Sequence, residues 1–321
     1  MRILVASSID SQAIEKMNLN HDVKCHFNAD PDELKSLIAD RDVLIFRSGV
    51  DINADILFRA KNLKLIIRAG CGLDNVDVDF ARKQGVELHT IPQPASFAVS
   101  EMTFALMLGL ARRILEADAS RRAGRWQKTQ LKGRLLYGKT LGIVGAGNIG
   151  SRVGQLGAAW GMNVLGCVEH PSGERTKKLA EKGIELCSFD RVVQEADFLT
   201  IHVPKKKSTH HLIDAGVLGC MKNDSFLINI ARGGIVDEKA LYNQLTEREN
   251  LLGAALDVHE VEGEGKLSPL KDLTNVILTP HIGSTTVDTY KDMGGRILKI
   301  LDAFVAENST EQLQHGMVAY A

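Results

Sequence analysis

Clustered metal ligands, closely spaced cysteines, an excess of one charge and an uninterrupted membrane-length apolar run are all missing from this chain. Each absence removes a class of function. The five cysteines stand alone at 25, 71, 167, 187 and 220, with no C-x-x-C spacing. That argues against a zinc site or a disulfide framework and for reduced thiols in a cytoplasmic protein. Lysine and arginine number 39 against 40 aspartates and glutamates, a net charge of −1. No global field therefore draws the chain to nucleic acid or to an acidic membrane. The basic clusters at 112–113, 121–122 and 205–207 are short and read as solvated helix or loop faces. The N-terminal MRILVASS enters a strand-like run directly, without the apolar core of a signal peptide. The longest apolar segment, 97–115, contains Glu101 and carries Arg112 and Arg113 near its end. This suits a buried or dimer-interface helix better than a membrane span.

What is present is an ordinary globular composition, 44% hydrophobic and 25% charged over 321 residues. That length exceeds one compact core, so two domains are expected. The chain is organised around LGIVGAGNIGSRV at 141–153. An apolar run of strand length ends in Gly145-x-Gly147-x-x-Gly150, and a helix-like pattern with small residues follows. This is the order of a dinucleotide-binding turn. The first glycine permits the turn, the second lets the backbone approach a pyrophosphate, and the third allows close helix packing. The new helix's N-terminus would favour the anion.

Before that turn, strands are expected at 2–6, 21–27, 43–46, 65–68 and 86–90, with helices at 11–17, 31–39, 54–60 and 78–84 between them. Asp30, Pro31 and the acids after them form a helix start. Such alternation describes a small parallel α/β unit. The segment 91–94 reads as a crossing, followed by a long helix from Phe97 and a polar, tryptophan-bearing arm at 123–137. Alternation then resumes, with strands at 163–168, 198–202, 225–229, 253–258 and 276–279 and helices at 176–182, 215–221 and 238–246. A last helix at 285–307 is long enough to return to the first unit. The expected architecture is two α/β domains, the second inserted into the first, with a ligand cleft at their crossings.

Three stretches put chemistry just past strands of the second unit. In NIARGG, Arg232 can offer a planar fork to a carboxylate. In LDVHEVE, a strand runs into acids, and in LTPHIG His281 stands between a proline and a glycine. Each has a plain structural explanation taken alone. With a dinucleotide turn they form a set: cofactor, carboxylate clamp, and an acid/base histidine with a carboxylate to orient it.

Seven stretches together resemble the D-isomer-specific 2-hydroxyacid dehydrogenases over nearly the whole length: RAGCGLDNVD, VSEMTFALMLGLARRI, LYGKTLGIVGAGNIG, DFLTIHVP, NIARGGIVDE, GAALDV and LTPHIGS. Among its subgroups the chain most resembles the short-form D-3-phosphoglycerate dehydrogenases; this chain, too, ends soon after the returning helix. The resemblance implies two doubly wound parallel sheets: a flavodoxin-like substrate domain, 1–96 plus 286–321, and an inserted Rossmann NAD-binding domain, 97–285. It places the substrate-clamping arginine at Arg232, the acid/base histidine at His281 and its carboxylate partner at Glu262 rather than Glu260. His259 stands where an aromatic residue is usual, and Gly263 where a proline is usual.

The same resemblance implies a cofactor site of Gly145, Gly147, Asn148, Ile149, Gly150, Glu169, His202, Val203, Pro204, Thr209, Ala231, Asp257, His281 and Gly283. The ribose-binding aspartate of the family falls on Val168, so the neighbouring Glu169 is assigned the ribose hydroxyls. No arginine follows before Arg175, which favours NAD over NADP. On the substrate side the resemblance implies Arg47, Ser48, Cys71 through its N–H, and Gly72, besides Arg232 and His281; Arg68 agrees with the comparison. The implied reaction interconverts a D-2-hydroxy acid and its 2-keto acid, with 3-phosphoglycerate and 3-phosphohydroxypyruvate as the first choice. Alternatives are glyoxylate, hydroxypyruvate or other 2-keto acid reduction and, more remotely, a non-catalytic NAD-sensing corepressor. The expected partners are the small acid and a second copy in a homodimer, through the Phe97 helix and the arm bearing Trp126. No metal, nucleic acid or membrane is expected.

Overall fold

Runs such as Val43–Phe46 (VLIF) and Leu65–Arg68 (LIIR) bury every residue, the signature of parallel strands covered on both faces. The computed structural model describes residues 1–248 and 251–318. It divides into two compact units, Met1–Ala95 with Thr285–Ala321, and Ser96–Ser284. Residues 319–321, which the sequence reading gives to the first unit, lie outside the described residues.

The first unit runs β1 (Arg2–Val5), α1 (Ser11–Asn18), β2 (Asp22–Cys25), α2 (Pro31–Ile38), β3 (Val43–Phe46), α3 (Ala54–Arg59), β4 (Leu65–Arg68), α4 (Val78–Lys83) and β5 (Glu87–Thr90). Asp10, Asp30, Asn53 and Asp77 each accept a backbone N–H at a helix start, satisfying donors that have no partner within the helix. All strands are parallel, in the order β2-β1-β3-β4-β5, the flavodoxin-like order. Alternate residues feed opposite faces: Ile3, Val5, Val43 and Ile45 enter one core cluster, Leu4, Leu44 and Phe46 the other.

The second unit holds most of α5 (Gln93–Ala111), then α6 (Ile114–Arg122), β6 (Thr140–Val144), α7 (Asn148–Ala159), β7 (Asn163–Cys167), α8 (Gly173–Ala180), β8 (Glu185–Leu186), α9 (Phe189–Glu195), β9 (Phe198–Ile201), α10 (Ala215–Cys220), β10 (Ser225–Asn229), α11 (Glu238–Asn243), β11 (Leu251–Leu256) and β12 (Val276–Leu278). Its seven parallel strands lie in the order β12-β11-β10-β9-β6-β7-β8. Counted from β6, this is the Rossmann order, and it reverses between β6 and β9, where such sheets bind nucleotides. Finally α12 (Val287–Val318) returns to the first unit, adding Met293, Ile297, Leu301 and Phe304 to the Ile3 cluster.

Several boundaries differ from the sequence reading. The helix expected at 97 begins at Gln93, because Pro94 is tolerated in a first turn, so 91–94 is only partly a crossing. It stops at Ala111, where Arg113 turns left-handed with φ of 51°. Glu116 in the next turn holds that arginine by two hydrogen bonds of 2.8 and 2.7 Å, and α6 starts there. Helix α5 is long and apolar enough to cross a membrane by composition, yet Phe104, Leu106, Met107 and Leu110 are buried in the core of the unit. The elements β8 and α9 are additions, β11 starts and ends two residues early, and α11 passes into a π-turn at Gln244–Arg248.

The turn after β6 is shaped by backbone contacts. Gly145 adopts φ of 97°, and the amides of Gly145 and Ala146 both donate to the Cys167 carbonyl at 3.1 and 2.9 Å. A Cβ on Gly150 would lie 2.2 Å from the Gly145 carbonyl oxygen, so α7 approaches the turn too closely for any side chain there. Replacing Gly150 with Ala is therefore expected to destabilise this unit by about 1–3 kcal/mol, read as a lowered midpoint in thermal or urea denaturation.

Candidate active site

Beyond the carboxyl ends of β6, β7 and β9 lies a cavity of about 720 Å³. Gly145, Gly147, Glu169, His202, Val203, Pro204 and Thr209 of the expected cofactor set line it. Asn148, Ile149 and Gly150 form the first turn of α7 just behind Gly147. Two observations fit a dinucleotide here. A Cβ on Gly147 would meet nothing within 4 Å, so the backbone faces open space at the helix N-terminus. The His202 ring donates or accepts at Nε2 with the Thr200 hydroxyl at 2.9 Å, while its buried Nδ1 has no partner among the described residues. Burial pushes that imidazole down to about 3, so it stays neutral and adds no charge to the pocket.

Val168 forms part of the wall where the sequence comparison looks for an acid. Glu169 beside it is exposed and accepts from Lys206 Nζ at 2.8 Å. The hydrogen bond and then the charge of Lys206 hold its carboxyl below the usual range. The lysine run at 205–207, a solvated face from sequence, is exposed, and Lys206 lines the cavity together with Arg175. Thr209 Oγ1 donates to the Pro204 carbonyl at 2.7 Å, and Lys206 N donates to it at 2.8 Å, fixing the loop after β9.

The second group of residues gathers past β10, β11 and β12. Asp257, 1% exposed, follows β11 and accepts three hydrogen bonds from the loop after β12. They come from Thr279 Oγ1 at 2.6 Å, Ile282 N at 2.9 Å and Gly283 N at 2.7 Å. Its carbonyl also takes the amide of His281 at 2.7 Å. His281 itself is held at φ of 55°, a left-handed conformation uncommon outside glycine. This turn directs the imidazole at Glu262, with Nδ1 to Oε2 at 2.9 Å. The other oxygen of Glu262 accepts the His259 amide at 3.1 Å. Burial would raise the Glu262 carboxyl, but the His281 hydrogen bond, the His281 charge and the His259 contacts overcome it and hold the group below its ordinary value.

Glu260, by contrast, binds His211 Nε2 at 2.9 Å and the Glu238 amide at 3.2 Å, so it is turned away from His281. Arg232 follows β10, where Asn229 braces the turn: its Oδ1 takes the Ala231 amide at 3.1 Å and its Nδ2 donates to the Arg232 carbonyl at 3.1 Å. The guanidinium donates to the Ala231 carbonyl at 2.7 Å. Ala231, Asp257 and Gly283 belong to this group and do not line the 720 Å³ cavity.

In the first unit, Arg47 and Ser48 follow β3. Arg47 is 8% exposed, its guanidinium 4.2 Å from the centre of the Tyr290 ring and its amide bonded to Ser7 Oγ at 3.0 Å. Arg68 ends β4, and a Cβ on Gly70 would collide with its guanidinium at 1.8 Å. Cys71 Sγ donates to the Pro92 carbonyl at 3.2 Å.

Sequence reasoning passes over the cluster of Glu238, Ser268 and His259 beside this site. Asp257→Asn is a test of the loop: one acceptor oxygen would replace two, and an N–H group would face the loop's own donors. Such a change is expected to cost about 1–3 kcal/mol, measured by urea denaturation, with a larger loss of any activity that needs His281.

Residues 104–283 match the model of the D-isomer specific 2-hydroxyacid dehydrogenase NAD binding domain. The chain is 39% identical over 313 residues to a D-3-phosphoglycerate dehydrogenase of Methanocaldococcus jannaschii, covering 96% of this chain but only 59% of that protein. It is 36% identical over 296 residues to a hydroxypyruvate reductase of Thermotoga maritima, covering 91% of this chain and 94% of the relative. Among solved structures, D-lactate dehydrogenase from Aquifex aeolicus, complexed with NAD and lactic acid, superposes with a TM-score of 0.85 at 29% identity over 98% of both chains. With a family match across more than half its length and a relative matched almost end to end, this chain belongs to the D-isomer-specific 2-hydroxyacid dehydrogenase family.

Proposed function

We propose that the protein interconverts a D-2-hydroxy acid and its 2-keto acid with NAD, and that 3-phosphoglycerate and 3-phosphohydroxypyruvate are its substrate pair. The observation that carries this reading is the 2.9 Å contact between His281 and Glu262 on a loop held by Asp257. Bound NAD supplies or accepts the hydride. With Nδ1 engaged by Glu262, the His281 Nε2 is the atom that hands a proton to the substrate oxygen as it gains charge, and takes it back in the reverse direction. Glu262 fixes the orientation of the ring. Arg232 binds the substrate carboxylate, which positions the carbon that changes oxidation state. Glu169 takes the ribose hydroxyls, with Lys206 holding its side chain in place.

The phosphate preference rests on the relatives named D-3-phosphoglycerate dehydrogenase and on Arg47 at the end of β3. A second reading, reduction of hydroxypyruvate or glyoxylate, rests on the T. maritima relative that this chain matches almost end to end. Steady-state assays with NADH and NADPH against phosphorylated and unphosphorylated 2-keto acids separate them. The expected result is NADH-dependent turnover, fastest on 3-phosphohydroxypyruvate, with Arg47→Ala raising KM for that acid alone. Turnover on no acid, with NADH binding intact, would instead support a non-catalytic NAD sensor. His281→Asn, which tolerates the left-handed backbone, is expected to lower kcat by about 10²–10⁴ while leaving the NADH Kd within about twofold.

We also propose a homodimer, because α6 and the arm after it expose Leu115, Trp126, Leu135 and Tyr137 at 56, 79, 67 and 74%. Analytical ultracentrifugation should then give a dimer at micromolar concentration; a monomer alone would overturn the proposal.

A further inference from the structure

His259 occupies a position that neither the glycine turn nor the proposed acid–base pair explains. Its side chain is 15% exposed, and that of Glu238, at the start of α11, is 4% exposed. The ring Nε2 lies 2.9 Å from the Thr279 carbonyl, the same oxygen that receives the His281 amide at 3.0 Å. Its main-chain N–H donates to Glu262 Oε1 at 3.1 Å. One residue therefore touches both supports of His281: the carbonyl beneath its loop and the carboxylate on its ring.

The protonation of this ring follows from its partners. A carbonyl oxygen can only accept, so Nε2 carries a hydrogen. Nδ1 is buried without a hydrogen-bond partner among the described residues and stands 4.0 Å from Glu238 Oε1. Glu238 is buried too, yet its Oε1 receives only the Glu260 amide at 2.7 Å and its Oε2 the Ser268 hydroxyl at 2.9 Å. Two neutral donors leave a buried carboxylate without a counter-charge, which is costly. A bare lone pair on Nδ1 would face that carboxylate; a proton there supplies the missing cation. Of the other charged groups in this region, Glu262 faces His259 from its own loop, whereas Glu260 is directed at His211.

We propose that His259 is a positioning residue for the reaction: a buried imidazolium, paired with Glu238, that keeps Glu262 ionised and braces the His281 loop. The charge on His259 acts on Glu262 in the same direction as the His281 bond. This inference rests on the dehydrogenase reading, and its test separates the two. Nitrogen NMR of ¹⁵N-histidine-labelled full-length protein near neutral pH reports both ring nitrogens without any turnover. The expected His259 signature is an imidazolium that Glu238→Gln converts to a neutral ring with hydrogen on Nε2. A neutral ring in the unaltered protein overturns the proposal, even if the enzyme is active.

Kinetics on the keto acid that the unaltered protein reduces give the second arm. His259→Phe keeps a flat ring but loses charge and the Thr279 contact, whereas His259→Gln can restore the contact without charge. With a nearby cation removed, the alkaline limb of the kcat/KM profile for reduction moves up by roughly one pH unit in both variants. The Phe variant also loses about tenfold or more in kcat with little change in KM, as small misplacements of a reacting group do, and the Gln variant recovers most of it. Glu238→Gln moves the limb the same way, and combining it with His259→Phe moves it no further. Limbs that stay in place in folded Phe and Gln variants overturn the proposal; a purely structural role would change kcat alone. Absence of turnover in the unaltered protein overturns the dehydrogenase reading instead and leaves the NMR result standing.

Discussion

A single buried carboxylate organises the chemistry of the second unit. Asp257 leaves β11 with both oxygens turned toward the loop after β12, and that loop returns a hydroxyl and two amides to it. A carboxylate with three donors, almost removed from water, is stabilised as the anion by the hydrogen bonds themselves. The loop in turn has little freedom: its donors must converge on one point, and His281 meets this by turning left-handed. Catalytic geometry of this kind does not come from the histidine. It is imposed through the residues beside it by a carboxylate that follows the next strand.

Charge in the same region alternates outward from that anchor. His281 meets Glu262, Glu262 meets the main chain of His259, and the His259 ring faces Glu238. Carboxylate and imidazole follow each other through this part of the unit. On the other side of the sheet's switch point the design differs. His202, made neutral by burial, adds no charge to the pocket; the bare backbone of Gly147 at a helix terminus faces it from one side, and Lys206 and Arg175 line it as well.

The alternation of short apolar runs with amphipathic segments makes both parallel sheets legible apart from the two-residue edge strand β8, because central strands covered on two faces leave an unbroken apolar signature. Boundaries failed where a tertiary contact overrides local chemistry. Nothing in the residues around Arg113 marks a break, since the left-handed turn is held by Glu116 and carries no glycine or proline. The segment FDRVVQE looks like a polar connector until Val192 and Val193 find the core. At the site, Arg232 and His281 are legible as charged or titratable residues set just past buried strands. The loop-holding part played by Asp257 is not, because its partners are backbone amides whose convergence depends on a conformation of His281 that no composition announces. Glu238 reads as an ordinary acid in a first helical turn; only the packing of Ser268 and His259 against it shows why it is buried.

The strand that delivers His281 lies at one edge of its sheet. β12 has three half-buried residues and lies at the edge, paired on one side only. Its loop is nevertheless tied to Asp257, just past the end of the neighbouring β11, so strand and loop open together. Local opening at this edge needs far less energy than melting the sheet, and it would release the amides of Ile282 and Gly283 to exchange with solvent while the core stays formed.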